Sequence, residues 1–594
     1  MLALRVLQRR PLLAVALILA LDACLLLFGI LRSWNTHPLL LIPEGDAAEY
    51  WNWSERIAQG HLVGDTPFLS APLYPYFLAP FRACGAGFHT LFLVQAALRT
   101  LSAFLLYRAS LQRFAKPALA LASAGLFLLL VEPSFYASRI LNSSLQLALV
   151  SGLLLAARAC TDAPTRSRLL GCGALLGLNI LANPSMLLLL PALPLWLGWR
   201  SRRELGRSAL AAAAALLLVA PATLHNFLAT RDAPGGPELI LVSAQSGITL
   251  AHGNGPGALG VYRPLPGVSQ DRAKQNEEAY RQARTATGRE GWKNTDRHFR
   301  DQALAWIFGH PGESAPLVLR KAGLLLAGQD YGDLYNITLE QSDPDLPDPV
   351  PLPLGLLQTG WLLPAAFAGA WFLLRARGRA AAPDLALLAL PCLIVLVFWY
   401  SPRYRMPLIP PACLLAPFAV ARLLASPRAA PRRAALAALL LLPLAGRELL
   451  LRTRLDDASR YRGEYEFHIA YRLRELGRPG EALPRFERAL AADFSPADSH
   501  EQIGRSRVDL GQQRAAAGDS AAATQLFTAA LGDFRTCLDL DPRQMDVWVS
   551  RGALLAKLGD PQQGRSHLAE ALRLAEAAGL ADAASQIRRM LAQM

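Results

Sequence analysis

The chain has 594 residues, 53% of them hydrophobic and only 18% charged, which makes it more apolar and less charged than an average soluble protein. Its net charge of +14 invites a nucleic-acid partner. The arginines, however, sit in short loops between apolar runs, and no basic stripe interleaved with aromatics is present, so nucleic acid is not expected. The seven cysteines occur singly, without a C-x-x-C pair, which indicates neither a disulfide framework nor a zinc site. What remains is an all-α, multispanning membrane protein.

Basic Arg5, Arg9 and Arg10 precede an apolar run from Leu12 to Leu31. The run is long enough to span a bilayer, and no small-residue cleavage site clearly ends it, so it reads as a retained helix that also targets the chain. Further apolar segments follow at 91–107, 117–131, 143–157, 169–182, 185–199, 208–228, 354–374, 384–400, 406–424 and 434–451, making about eleven spans. With the N-terminus in the cytoplasm and one crossing per segment, the clusters Arg108/Arg113/Lys116, Arg158/Arg166/Arg168, Arg200/Arg202/Arg203/Arg207, Arg375/Arg377/Arg379 and Arg428/Arg432/Arg433 all fall on the cytoplasmic side, as the positive-inside rule requires. The stretch 169–199 is split into a hairpin at Asn183-Pro184, because a single crossing would put Arg200–Arg207 outside.

The outer face then receives the loop 32–90, the short turn 132–142, the long stretch 229–353, the turn 401–405 and everything after about residue 452. The first loop is rich in Trp, Tyr and Pro and reads as one or two helices along the membrane surface. It opens with Asp46 and Glu49, two carboxylates three apart on one helical face, able to share a proton, grip a cation or activate a hydroxyl. The same residues also suit a solvated acidic turn, with Trp51 and Trp53 as interface anchors. Within 229–353 a Gly/Pro/Asn-rich loop (Ala251–Gly267) leads to a polar helical segment, about 271–305, and then to an amphipathic surface helix, Pro316 to Gly328.

Arginine is disfavoured in short external loops, yet Ser401-Pro402-Arg403-Tyr404-Arg405-Met406-Pro407 carries two. Guanidinium forks holding an anion at the membrane surface would offset that cost; snorkelling anchors are the plainer reading. Arg139 in the 132–142 turn and the Arg320-Lys321 pair repeat the exception. Carboxylates on this face would deprotonate a nucleophile, and cations would stabilise a phosphate leaving group. A lipid phosphate is the anion presented at that depth.

Beyond Tyr465 a repeat begins. Leu476-Gly477-Arg478 through Leu490 is echoed by Gly518-Asp519 through Leu531 and by Gly559-Asp560 through Leu572. The starting glycines lie about 41 residues apart, against a tetratricopeptide period of 34, so two extra helical turns are expected per repeat. An ordinary antiparallel helical bundle is the alternative. The segments resemble the turn and second helix of tetratricopeptide repeats, whose concave stack suits a protein or peptide partner. The domain division expected is 1–452 for the membrane part and 453–594 for the repeats.

Asp46-x-x-Glu49-Tyr50, Ala71-Pro72-Leu73-Tyr74-Pro75 and Arg403-Tyr404-Arg405-x-Pro407 together resemble the integral-membrane glycosyltransferases of the C fold. More narrowly they are similar to the bacterial relatives of dolichyl-phosphate-mannose protein mannosyltransferases and aminoarabinose transferases. The segment Gly247 to Tyr262, with His252-Gly253-Asn254 and Gly260-Val261-Tyr262, and Gly309-His310-Pro311 leading into Arg320-Lys321, resemble a subset with C-terminal tetratricopeptide repeats. The resemblance implies transfer of a sugar from a polyprenyl-phosphate carrier to an acceptor hydroxyl of a protein, lipid or glycan, usually with inversion. The place implied is the outer face of a bacterial inner (cytoplasmic) membrane, with the repeat domain on the periplasmic side. It implies Asp46 as general base, with Glu49 as helper, acceptor-binding or structural group. Arg403 and Arg405 are implied as donor-phosphate ligands, and Arg139 and Lys321 as weaker ones. Tyr50, Tyr74, Asn254, Asp330 (or Asp333) and Tyr404 are further acceptor- or donor-binding candidates. The Asp-x-x-Glu spacing departs from the adjacent acidic pairs of several members. No obligatory metal is expected, although members differ in needing Mg or Mn.

Three other classes compete: a non-catalytic scaffold for envelope assembly, a lipid-linked glycan ligase or polymerase, and a permease. The permease is disfavoured because charges cluster at span ends and not at the midplane. No Walker-type loop is present. His252, His298 and His310 read as ordinary surface or loop histidines, and Asn179, Asn183, His225 and Asn226 as packing or capping groups.

Overall fold

A computed structural model describes residues 11–33, 37–41, 43, 45–191, 202–268, 272–327, 335–346, 357–425, 429–452, 458–577 and 580–593. It divides the chain into two compact units, Met1–Leu455 and Asp456–Met594. Among the described residues the regular structure is helical, with only isolated bridges at Leu130–Leu357 and Val261–Tyr400. The protein is an all-α membrane protein.

The first unit begins with α1 (Pro11–Ser33), α2 (Pro38–Leu41), α3 (Asp46–Ala58) and α4 (Leu73–Ala83). Then come α5 (Phe88–Phe114), α6 (Pro117–Leu129), α7 (Val131–Ala137), α8 (Ser143–Asp162), α9 (Arg166–Ala182) and α10 (Arg202–Ala229). The long outer stretch holds α11 (Ser246–Gly253), α12 (Arg272–Thr287), α13 (Trp292–Gly309), α14 (Pro311–Leu326) and α15 (Ile337–Ser342). The unit closes with α16 (Leu363–Arg377), α17 (Ala382–Val397), α18 (Pro402–Arg405), α19 (Ile409–Leu424) and α20 (Ala429–Arg452).

Among the described residues, five stretches are long and apolar enough to cross a membrane: Val15–Ser33, Phe88–Phe114, Ser143–Asp162, Ser208–Ala229 and Pro402–Leu424. The last joins α18 to α19 through a 3-10 turn. The other expected segments form shorter or more charged helices, or lie partly outside the described residues. The helix α17, with 16 residues, rises about 24 Å against a hydrocarbon core of about 30 Å. At the expected hairpin α9 ends on Ala182, and the Asn183 side chain caps a 3-10 turn, Pro184–Leu189; residues 192–200 are outside the described set.

Two sequence expectations change. The 132–142 turn is mostly helix α7, buried along its whole length. Charge is also not confined to span ends. Asp22, in the middle of α1, pairs with Arg99 of α5 where both are nearly inaccessible; a second buried pair, Arg113–Asp384 at 2.5 Å, joins the end of α5 to the start of α17. In an apolar interior such charges persist only because they are paired.

The second unit consists of α21 (Ala458–Glu475), α22 (Pro479–Ala491), α23 (Pro496–Ala516), α24 (Ser520–Leu540), α25 (Met545–Lys557), α26 (Pro561–Ala577) and α27 (Ala581–Gln593). The glycines singled out in the sequence, Gly477, Gly518 and Gly559, have φ of 73°, 86° and 94°. Each closes the turn inside one helix pair, where a side chain would be strained. The extra length falls on α23 and α24, of 21 residues each. Phe527 and Phe534 of α24 sit in the core against Cys537 and Val547. Glu466 receives Arg485 and Arg488 at 3.0 and 2.9 Å, locking α21 to α22.

Candidate active site

In α3 the apolar side chains recur at helical spacing, and Ala47, Tyr50, Trp51 and Ile57 are buried against α4. Trp51 is thus packed inside the unit, while Trp53 is half-buried. Arg82 of α4 lies 4.2 Å over the Trp51 ring, and Trp53 stacks on Phe68 at 4.7 Å. This packing leaves Asp46 and Glu49 in the first turn of α3, where the helix dipole favours negative charge.

From the far end of the chain, Arg403 comes to the same place. The Ser401 hydroxyl accepts from the Arg403 backbone N–H and starts α18. The Arg403 guanidinium then donates to the Asp46 carboxylate. Both side chains stay partly open, 24% and 17% exposed. Glu49 takes a hydrogen bond from the Ser70 hydroxyl at 2.8 Å. Between them the buried Tyr50 hydroxyl is pushed well above its usual pKa, chiefly by burial and then by the Asp46 and Glu49 carboxylates. Tyr50 therefore stays a neutral donor. Its ring meets Tyr74 edge-on at 5.1 Å. Tyr74, raised for the same reason of burial, donates to Gln95 at 2.8 Å. Gln95 in turn donates to the carbonyls of Ala137 and Arg139.

The other basic candidates lie deeper. Arg405 is inaccessible and faces Glu132 at 3.4 Å, which is equally buried. The main chain sets this up: Val131 donates to the Leu357 carbonyl at 2.9 Å, which brings the Thr359 N–H onto Glu132 at 2.7 Å. Arg139 is also inside, donating to Glu340 of α15, and His37 lies 3.4 Å from that same carboxylate. Neither arginine is a surface fork; each is held by a glutamate, as burial of charge demands. Asp330 and Asp333 lie outside the described residues.

Lys321 of α14 is fully buried, donating to Asn254 at 2.8 Å and to the Val397 carbonyl at 3.4 Å. Burial lowers its amine to a pKa of about 7. Asn254 ties back to the carbonyls of Leu250 and Val397. This knot needs Gly253, since a Cβ there would sit 2.1 Å from the Phe398 carbonyl oxygen. Tyr400 donates to the Gly260 carbonyl at 2.8 Å. A ladder of rings runs from His252 through Tyr262 and Trp399 to Tyr404, with centroids 4.8, 5.5 and 4.8 Å apart. His252 is thus buried, its Nδ1 2.7 Å from the Arg263 carbonyl, and is not a surface histidine. Of the amide and imidazole candidates, Asn226 bridges Phe68, Ile240 and Val242, and His225 accepts from the Gly64 N–H.

Asp46, Glu49, Tyr50, Tyr74 and Arg403 therefore gather at one place, while Tyr404 leads from it to the Asn254–Lys321 knot. Ser70, Gln95, Glu132 and Glu340 were not foreseen. For Glu132 the signal was present: a glutamate at the edge of an apolar run is expensive unless it has a task. The acidic pair is a poor fit for a protein-held divalent ion, because Asp46 already faces a guanidinium and only two carboxylates are supplied.

No family model matches the chain, and no curated protein matches it. Among solved structures it is similar to the apo crystal structure of the Archaeoglobus fulgidus oligosaccharyltransferase, at 14% identity and a TM-score of 0.38. That alignment covers 81% of this chain and 56% of the other, so the chain spans little more than half of the archaeal protein.

Proposed function

We propose that the protein is a membrane glycosyltransferase that moves a sugar from a polyprenyl-phosphate donor to an acceptor hydroxyl. The observation that carries this reading is the pairing of Asp46 with Arg403, 357 positions apart in the chain, at a partly open site. A carboxylate and a guanidinium in contact are the two groups the reaction needs, one for the proton and one for the leaving phosphate. The incoming donor phosphate takes over the Arg403 guanidinium, which leaves the Asp46 carboxylate to face the acceptor. The acceptor oxygen bonds to the anomeric carbon, the bond from that carbon to the phosphate oxygen breaks, and the hydroxyl proton passes to Asp46. The departing lipid phosphate keeps its electron pair and is held by Arg403. Glu49 and Ser70 hold the first turn of α3, and Tyr50 is available as a neutral hydrogen-bond donor.

Within this reading Arg405 and Arg139 hold the site from behind through Glu132 and Glu340, and Lys321 fixes the Asn254 loop. The site belongs on the outer face of a bacterial cytoplasmic membrane, and the second unit recruits a protein or peptide, the acceptor or a partner. No protein-held metal is required. The test is turnover of radiolabelled polyprenyl-phosphate sugars by purified protein in lipid. Arg403→Ala is expected to raise the donor KM by about tenfold or more, the loss of one charge-assisted contact. An unchanged donor dependence would remove the phosphate role.

A further inference from the structure

The chain that leaves α10 turns back and runs down that helix. The Thr230 hydroxyl accepts from the Glu238 N–H at 2.8 Å. Asn226 donates to the carbonyls of Ile240 and Val242, each at 3.0 Å, and the Thr223 hydroxyl donates to that of Leu241 at 2.8 Å. Residues 238–242 therefore lie beside helix positions 230 to 223, themselves in neither helix nor strand. Exposure alternates along them: Glu238, Ile240 and Val242 are buried, Leu239 and Leu241 exposed. The apolar stretch Ser208–Ala229 of α10 has 22 residues, about 33 Å of helix against a hydrocarbon core of about 30 Å, so Ala229 stands near the edge of that core. Thr223 lies six residues before Ala229, about 9 Å deeper.

We infer that residues 239–242 are immersed in the hydrocarbon of the bilayer, an extended segment laid along α10 with acyl chains of the adjoining leaflet packed on Leu239 and Leu241. Continuity argues for that occupant. Leu239 is 63% and Leu241 50% exposed, matching Leu224 at 57% on the outward flank of the spanning helix. Phe227 and Leu228 extend the same exposed apolar surface to the helix end. The hydrogen bonds argue for it independently. In water the carbonyls of Ile240, Leu241 and Val242 would be satisfied by solvent. In hydrocarbon, non-helical backbone persists only where protein supplies the partners, and here two polar side chains of a spanning helix supply all three. Charge appears only above this level. Arg231 and Asp232 are exposed at the turn, and Glu238, level with Thr230, faces inward onto the Trp292 and Lys293 N–H groups at 2.9 Å. Asn226 also accepts from the Phe68 N–H at 2.8 Å, and Ser70, two residues on, donates to Glu49. The immersed segment is thus fastened to the loop that reaches the candidate site.

The experiment uses the full chain in nanodiscs of phosphatidylethanolamine and phosphatidylglycerol, with a genetically encoded diazirine residue replacing Leu239, Leu224 or Glu277 in turn. Glu277 is an exposed residue of the polar helix α12. Lipid adducts at position 239 are expected to match those at 224 within about twofold and to exceed those at 277 about tenfold, since water quenches the carbene wherever it reaches it. Asn226→Leu withdraws the donor from Ile240 and Val242. It is expected to lower lipid adducts at 239 about fivefold in favour of water adducts, while those at 224 stay unchanged. Water adducts at 239 on the level of position 277, in the chain with Asn226 intact, would overturn the inference. Crosslinks from 239 to a second copy of the chain would overturn the occupant. Unchanged lipid adducts at 239 in Asn226→Leu would overturn the part given to that asparagine in holding the segment at depth.

Discussion

Lys321 gives the most quantitative expectation. Its amine is inaccessible and has a folded-state pKa of about 7 against an ordinary 10.5, the shift being due to burial. The folded value is depressed below the unfolded one, so between the two the unfolded chain binds about one more proton, and stability rises with pH. The cost of burying the charge is full below about pH 7 and fades as pH climbs toward 10.5. One proton corresponds to about 1.4 kcal/mol per pH unit, reduced near pH 7 where the folded amine is half-titrated, so raising pH from 7 to 9 should add about 2 kcal/mol. Lys321→Met removes this slope. It also leaves Asn254 without its donor, a pH-independent offset of about 1–3 kcal/mol. The assay is unfolding of wild type and Lys321→Met in detergent across pH 7 to 9, read as the difference in slope. Parallel curves would refute the assignment of a depressed, buried amine.

Glu132→Ala should destabilise by about 3–5 kcal/mol, because Arg405 is left charged and inaccessible, while Glu132→Leu with Arg405→Met should recover much of that; strictly additive losses in thermal unfolding would contradict the pair. Gly253→Ala forces a Cβ onto the Phe398 carbonyl oxygen and should cost about 1–3 kcal/mol of stability, and wild-type unfolding would show that the loop relaxes freely. Excess chelator should leave sugar transfer intact; activity lost in chelator and restored by magnesium or manganese would contradict a metal-free site.

Much of the helical plan could be read from alternating apolar runs and Arg clusters, because hydropathy and positive-inside bias act locally along the chain. Arg403 stood out for a related reason: an arginine in a short external loop violates that bias and must be compensated somewhere; Asp46 stood out by its spacing from Glu49 on one helical face. What compensates such an arginine is not local. Glu132 meets Arg405, and Glu340 meets Arg139, only through contacts between residues more than 200 positions apart, and no periodicity encodes such pairs. The short helix α7 escaped for a different reason: Glu132 and Pro133 break the apolar run at its first turn. Trp51 and Trp53 illustrate the remaining ambiguity, since an aromatic pair within a short helix suits an interface and a packed helical hairpin equally well.

The central claim, that Asp46 takes the acceptor proton while Arg403 holds the donor, is tested most directly by single-turnover sugar transfer with Asp46→Asn in lipid. The side chain keeps its size and can still hydrogen-bond, so folding and binding of polyprenyl phosphate should persist while transfer falls by about a hundredfold or more. Wild-type transfer by Asp46→Asn would contradict the account.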